Sequence, residues 1–99
     1  MENYETRTTH TWLANDEDTY RTCMGYVADC RDEAATCDQV HREIWTVEEA
    51  TRFLLADRLK QFVHDGSPLG ESGSLYADLL NAALSDVDWN GVANAFLDQ

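Results

Sequence analysis

The chain has 99 residues, 43% of them hydrophobic, which is enough for one small core, so we expect a single domain over residues 1–99. Nineteen acidic and seven basic side chains give a formal net charge of −12, which argues against direct binding to nucleic acid or to an anionic membrane, because both depend on Lys and Arg. The sequence has no run of about 18 apolar residues and no signal-peptide pattern, and its three cysteines suit a reducing compartment, so we expect a cytoplasmic protein.

The first segment, residues 3–15, is compatible with a helix or an edge strand. Asn3 is a good N-cap, whereas the Thr-rich run 6–11 favours a strand. Trp12 and Leu13 are the apolar anchors of the segment. We expect a helix here and keep the edge strand as the alternative.

A helical stripe follows the acidic start signal at residues 15–18 and reaches at least Cys30. Three carboxylates overlap its end, and on a continued helix they share one face at the spacing i, i+3 and i+4. Only Arg31 is near them in sequence. The stripe consists of Tyr20, Cys23, Met24, Val27 and Ala28, and the carboxylates are Asp29, Asp32 and Glu33.

Two capping boxes are present in the middle of the chain. Thr36 with Gln39 predicts a short helix or turn in a region where the hydrophobic periodicity is poor. Thr46 with Glu49 is the more convincing box, and it predicts the start of a long helix. The apolar stripe of that helix is Val47, Ala50, Phe53, Leu54, Leu55, Leu59, Phe62 and Val63.

Gly66 is placed to end this helix in the left-handed conformation, and residues 66–73 follow as a flexible loop inside the domain. Two amphipathic helices separated by residues 85–88 complete the chain, and we expect them to carry much of the core. Their stripes are Tyr76, Leu79, Leu80, Ala83, Leu84 and Val87, then Trp89, Val92, Ala93, Phe96 and Leu97. The expected fold class is therefore all-α, a bundle of four to five helices.

Catalytic and metal-binding motifs are not recognisable in the sequence. Cys23, Cys30 and Cys37 are seven residues apart, and seven residues of helix rise about 10.5 Å, too far for one zinc ion. Cys37 with His41 has a helical ligand spacing, but two ligands do not complete a site. We expect Cys23 and Cys30 to be core residues, and we expect no metal, no cofactor and no enzymatic activity.

The acidic charge is unevenly distributed along the chain. Residues 1–60 contain thirteen acids and all seven bases, whereas residues 61–99 contain six acids and no Lys or Arg. Carboxylates without cationic neighbours can replace phosphates in front of Arg and Lys of a partner protein. The candidate partner-binding residues are Asp78, Asp86 and Asp88, then Asp29, Asp32, Glu33, Asp65 and Glu71.

Two stretches of the chain form recognisable motifs. One is NYET at residues 3–6, followed by Trp12-Leu13, Asn15-Asp16-Glu17 and Tyr20, and the other is SLYADLLNAALSDVDW at residues 74–89. Together they resemble a group of small uncharacterised proteins of phages and other mobile elements. Arg7 stands where that group has an aromatic residue, a departure that bears on how the first segment packs. The resemblance implies a phage setting, in which small acidic proteins often inhibit host defence, anti-CRISPR proteins and DNA mimics among them.

These observations lead to one functional hypothesis and one alternative. We expect an acidic phage-type inhibitor, a candidate anti-CRISPR protein that acts as a DNA mimic and occupies a basic nucleic-acid-binding surface of a Cas effector in the host cytoplasm. The alternative is a non-enzymatic phage protein-interaction module that binds through an apolar patch and whose acidity serves only solubility. Salt-sensitive binding favours mimicry, and salt-insensitive binding favours the module.

Overall fold

The computed structural model describes residues 3–66 and 74–98, and within these ranges it contains six helices and no strand. The all-α class is confirmed. Residues 3–66 and 74–98 form six helices and not four to five, because the two ambiguous segments of the sequence are both helical. The helices are α1 (Tyr4–Asn15), α2 (Glu17–Ala35), α3 (Asp38–His41), α4 (Val47–Asp65), α5 (Leu75–Ser85) and α6 (Trp89–Leu97). Glu71 and most of the predicted loop 66–73 lie outside the described residues.

Helix α1 begins at the N-cap that the sequence predicts. The Asn3 side chain accepts a hydrogen bond from the Thr6 backbone N–H at 2.9 Å. Thr residues are accommodated because their hydroxyls find acceptors one turn back, as Thr9 does at the Glu5 carbonyl. Of the two expected anchors only Leu13 is buried, whereas Trp12 is 74% exposed.

Helix α2 begins after Asp16, whose carboxylate accepts the Thr19 backbone N–H at 2.9 Å. This hydrogen bond is the main cause that lowers the pKa of Asp16 below its ordinary value. The helix extends past Cys30 to Ala35. The carboxylates at its C-terminal end therefore do lie on one continuous helix, as the sequence indicated.

The capping box predicted at Thr36 and Gln39 is wrong. Thr36 ends α2, and its hydroxyl donates to the Glu33 carbonyl at 3.3 Å, so it is turned back towards the preceding helix. The N-cap of the short α3 is Cys37, which makes no side-chain capping bond. Glu43, just beyond α3, has a φ of 61°, in the left-handed region that non-glycine residues seldom adopt.

The second capping box, at the start of α4, is confirmed. The Glu49 N–H donates to the Thr46 hydroxyl at 3.1 Å, and the Thr46 N–H donates to the Glu49 carboxylate at 3.2 Å. The left-handed terminator predicted at Gly66 is wrong, because its φ is −81°. Gly66 donates its N–H to the Phe62 carbonyl at 3.1 Å, which continues the right-handed turn.

The core lies where α2, α4 and α6 pack together, with α1 across one side. Tyr26 stacks edge-on against Phe62, and Asp29 pairs with Arg58, so α2 and α4 run in opposite directions. Cys23 and Cys30 are fully buried, as expected for core residues. The fully buried large side chains are Phe96, Leu55, Leu59, Val27, Val92, Thr6, Cys23 and Cys30.

A set of hydrogen bonds joins the start of α1 to the turn between α5 and α6, and we call it the α1 clasp. The Thr6 hydroxyl donates to the Asn3 side-chain oxygen at 2.7 Å and accepts the Asp88 backbone N–H at 2.8 Å. The Asn3 side-chain amide donates to the Asp86 carbonyl at 2.6 Å. The clasp therefore links residues 3–6 with residues 86–88, at opposite ends of the described chain.

The helices of the described ranges include none that combines the length and the apolar character needed to span a bilayer.

Candidate functional site

Helix α5 presents a contiguous apolar surface to solvent. Leu75, Tyr76 and Leu79 are 68%, 70% and 59% exposed, and Ala82 and Ala83 beside them are also exposed. These five residues are called the α5 outer face below. Large apolar side chains grouped in this way, unlike isolated ones, are typical of interaction surfaces.

The opposite side of α5 attaches the helix to the rest of the protein. Ala77 and Leu84 are seven residues apart, which is about two helical turns, and both are buried. Leu80, between them on this side, is half-buried. The assignment of Tyr76 and Leu79 to the core is therefore wrong, because the inward face of the helix is centred on Ala77 and Leu84.

Acidic side chains border the α5 outer face. Asp78 lies on α5 next to Leu75 and Leu79, and Asp86 is the C-cap residue, one turn beyond Ala82. Both carboxylates belong to exposed residues. Because residues 61–99 contain no Lys or Arg, no base from this part of the chain compensates them.

Three of the predicted carboxylates lie towards one end of the helical bundle. Asp65 ends α4 and Asp88 precedes α6, and the neighbouring rings of His64 and Trp89 are 6.4 Å apart. Asp86 is two residues before Asp88. The structure therefore gathers Asp65, Asp86 and Asp88 in one region.

Asp88 has a structural task in this group, because its carboxylate caps α6. It accepts the Gly91 backbone N–H at 3.1 Å. A Cβ placed on Gly91 would come within 2.9 Å of the same carboxylate, so this glycine leaves room for the cap. Asp65 is also engaged, as an acceptor of the Gln61 side-chain amide at 2.8 Å.

The carboxylates on α2 are in a different environment, because α4 brings cations to them. Arg58 approaches Asp29 with 3.6 Å between Nη2 and Oδ2. Glu33 lines an open groove of about 670 Å³ whose wall includes Arg58 and Lys60. Asp32 is exposed on the same helix. Sequence spacing along α2 shows only Arg31, so the compensation from α4 is not visible in the sequence.

The predicted carboxylates are thus distributed over separate surfaces. Asp65, Asp86 and Asp88 lie towards one end of the bundle, and Asp78 borders the α5 outer face. On α2, Asp29 and Glu33 lie near cations of α4, and Asp32 is exposed. Glu71 is outside the described residues. The α5 outer face is the feature that sequence reasoning missed. Its signal was the presence of apolar residues on most of the circumference of α5, more than one buried face can use.

The cysteines and histidines are placed as follows. Burial raises the pKa of Cys23 to about 11 and also raises the pKa of Cys30, so both thiols are protonated at neutral pH. Cys37 is half-buried. His10 packs edge-on against Phe96, and its buried Nε2 has no hydrogen-bond partner among the described residues. In residues 3–66 and 74–98 no three His, Cys, Asp or Glu side chains are grouped so that they could hold a metal ion.

Comparison with known proteins finds no matching family model, no matching curated protein and no matching solved structure. The functional argument for this chain therefore depends on its own residues and their placement.

Proposed function

We propose that the protein is a non-enzymatic interaction module that binds a partner protein through the α5 outer face. The observation that carries the proposal is the exposure of Leu75, Tyr76 and Leu79 within five residues of one helix. Exposed apolar area of this kind is unfavourable in water, and burying it against a partner recovers roughly 25 cal/mol per Å² before the costs of association. The buried residues of α5, Ala77 and Leu84, lie on its other side, so the outer face is not the side that packs on the protein.

The spacing of the face fits a known mode of recognition. Leu75, Leu79 and Ala82 follow one another at i, i+4 and i+7, the pattern by which a helix presents anchors to a groove or to another helix. Tyr76 adds an aromatic ring at the edge, and tyrosine is enriched among residues that dominate binding energy. A helix held on one side and apolar on the other is suited to such docking.

The direct test is photo-cross-linking in the host cell from an unnatural amino acid at position 79. A specific cross-linked product is expected from position 79 and not from position 28, because Ala28 is exposed on a different helix, α2. Leu75→Ser introduced beside the cross-linker should reduce the yield several-fold. Identical products from both positions, or none from position 79, would contradict the proposal.

The second candidate is the inhibitor of a host defence complex, an anti-CRISPR protein that covers a nucleic-acid-binding surface of a Cas effector. It is favoured by the exposed carboxylates of Asp78 and Asp86 in a stretch of the sequence, residues 61–99, that contains no Lys or Arg. In this role Asp and Glu take the positions of phosphates before Arg and Lys of the target, and binding is weakened by salt.

A phage plaque assay on CRISPR-active and CRISPR-deficient hosts separates the two candidates. An acidic mimic restores plaques only in the CRISPR-active host, and the combined Asp78→Asn, Asp86→Asn and Asp88→Asn variant loses this effect. Asn retains the N-cap at position 88, so the variant should still fold. If the module reading is correct, Leu79→Ser abolishes the biological effect, whereas the Asn variant retains part of it.

A further inference from the structure

We infer that one specific kind of partner segment occupies the α5 outer face, an inference that rests on the binding role proposed for α5. It is a positively charged amphipathic helix that belongs to another protein, and it is not a second copy of this chain. The inference rests on the shape of the apolar stripe and on the charges at its borders.

The apolar stripe of the α5 outer face has the spacing of the contact line between two packed helices. Leu75, Leu79, Ala82 and Asp86 follow at i, i+4, i+7 and i+11, the alternating three- and four-residue steps of a helix-pair seam. Between Leu75 and Asp86 the seam is about 16 Å long. The small side chain of Ala82 allows the backbone of a partner helix to approach closely. Exposed Ala83, next to it, is equally small and extends the region of close approach.

The borders of the stripe select the charge of the occupant. Asp78 lies along one edge, and Asp86 ends the seam at the helix C-terminus, where the helix dipole adds negative potential. No Lys or Arg of residues 61–99 offsets them. A partner helix that carries Lys or Arg on its flanks meets opposite charges at both points, which speeds encounter and fixes register.

The same charges disfavour self-association. A dimer with two-fold symmetry brings the same surface of each copy together, so the acids along one α5 face those along the other. Each chain also has a net charge of −12. Like charges in an interface are repulsive, and residues 74–98 supply no base to relieve that repulsion.

The test uses two synthetic helical peptides with the same Leu and Ala seam, one with Lys and one with Glu on both flanks. Their binding to the full-length protein is measured by fluorescence anisotropy at low salt. The Lys peptide is expected to bind about tenfold more tightly than the Glu peptide. Asp78→Asn with Asp86→Asn should remove most of this preference, whereas Asp32→Asn on α2 should leave it unchanged.

Two further measurements guard against binding by charge alone. Leu79→Ser must weaken the binding of the Lys peptide at least about tenfold, because Leu79 is the central apolar contact of the seam. Equal binding to wild type and Leu79→Ser, equal affinity for both peptides, or no binding of either peptide would overturn the inference. Sedimentation of the protein alone should show a monomer, and a dimer that Leu79→Ser dissociates would instead identify a second copy as the occupant.

Cross-linking from position 79 separates failure of this inference from failure of the proposed function. A cross-linked partner segment with excess Lys and Arg supports both statements. A neutral or acidic partner segment leaves the interaction module standing and overturns the charged occupant. Absence of any product specific to position 79 contradicts the interaction module itself, and the occupant falls with it.

Discussion

Thr6 is a fully buried polar residue whose hydroxyl is used twice, as a donor to Asn3 and as an acceptor from the Asp88 backbone. Thr6→Val keeps the shape of the side chain but leaves the Asp88 N–H without this acceptor. The expected loss is about 1–3 kcal/mol of unfolding free energy, measured by urea denaturation.

Thr22→Val is the matched control for that substitution. Thr22 is exposed, and its hydroxyl donates only to the Asp18 carbonyl of its own helix. Its replacement should change stability by less than about 0.5 kcal/mol. Equal losses in the two variants would show that the α1 clasp contributes nothing beyond the helix propensity of Thr.

The thiols provide a second prediction at the level of single residues. Cys23 and Cys30 are buried, and burial raises the pKa of both, to about 11 for Cys23, so little thiolate forms at pH 8. A disulfide reagent at pH 8 should therefore label half-buried Cys37 first, at least about a hundredfold faster than the other two. Cys37→Ala should abolish the fast phase, and two or more fast thiols would contradict this placement.

Residues with local partners could be predicted from the sequence, and residues with distant partners could not. Asn3 and Thr46 cap helices through residues three positions away, and both caps were predicted. Thr6 was counted only as part of a strand-favouring run, because its partner Asp88 is 82 positions further along the chain. The capping box predicted at Thr36 does not form, because Thr36 ends α2 and its hydroxyl donates to the Glu33 carbonyl.

Among the helices, α5 has two apolar sides and only one of them is buried. Leu84 is on the buried side and Leu79 on the exposed side of the same helix. Leu84→Ala should therefore cost about 2 kcal/mol of unfolding free energy, because it leaves a cavity. Leu79→Ala should cost less than about 0.5 kcal/mol. Thermal or urea unfolding of the two variants measures the difference, and a reversed order would place Leu79 in the core.

The hydrophobic periodicity predicted most helices well but could not determine the orientation of α5. In α6 the buried residues Val92, Ala93 and Phe96 are those of the predicted stripe. In α5 the apolar residues cover most of the circumference, so more than one stripe can be drawn. Which stripe is buried depends on how α5 packs against the other helices. The hydrophobic pattern of α5 alone does not contain this information.

At the scale of the whole molecule, the net charge of −12 is opposed by few ion pairs. The pairs at i, i+4 spacing, Arg21 with Glu17 and Arg42 with Asp38, are well exposed and stabilise little. Salt therefore screens more repulsion than attraction. The unfolding free energy should rise by an amount on the order of 1 kcal/mol between 20 mM and 300 mM NaCl.

A charge variant supplies the control for the salt response. Asp32→Asn, Glu33→Gln and Asp78→Asn together remove three negative charges from exposed positions. The variant should show a smaller increase in stability with NaCl than the wild type. A wild-type protein that loses stability as salt is added would mean that its ion pairs outweigh its self-repulsion.

The candidate site was only partly accessible to sequence reasoning. The absence of bases after residue 60 was visible, and it still defines the acidic borders of the α5 outer face. The pairing of Asp29 with Arg58 was not visible, because it depends on α2 and α4 running in opposite directions. The exposure of Leu75, Tyr76 and Leu79 was also hidden, because apolar residues in a helix are expected to be buried until the packing is known.

The α1 clasp has a consequence for how the protein is made on the ribosome. Its hydrogen bonds connect Asn3 and Thr6 to residues 83 and 82 positions later in the chain. At translation rates of about 5–20 residues per second, the first helix is synthesised roughly 4–16 seconds before its partners at residues 86 and 88. Until then the clasp is open, and of the two helices against which α1 packs, α2 and α6, only α2 has been made.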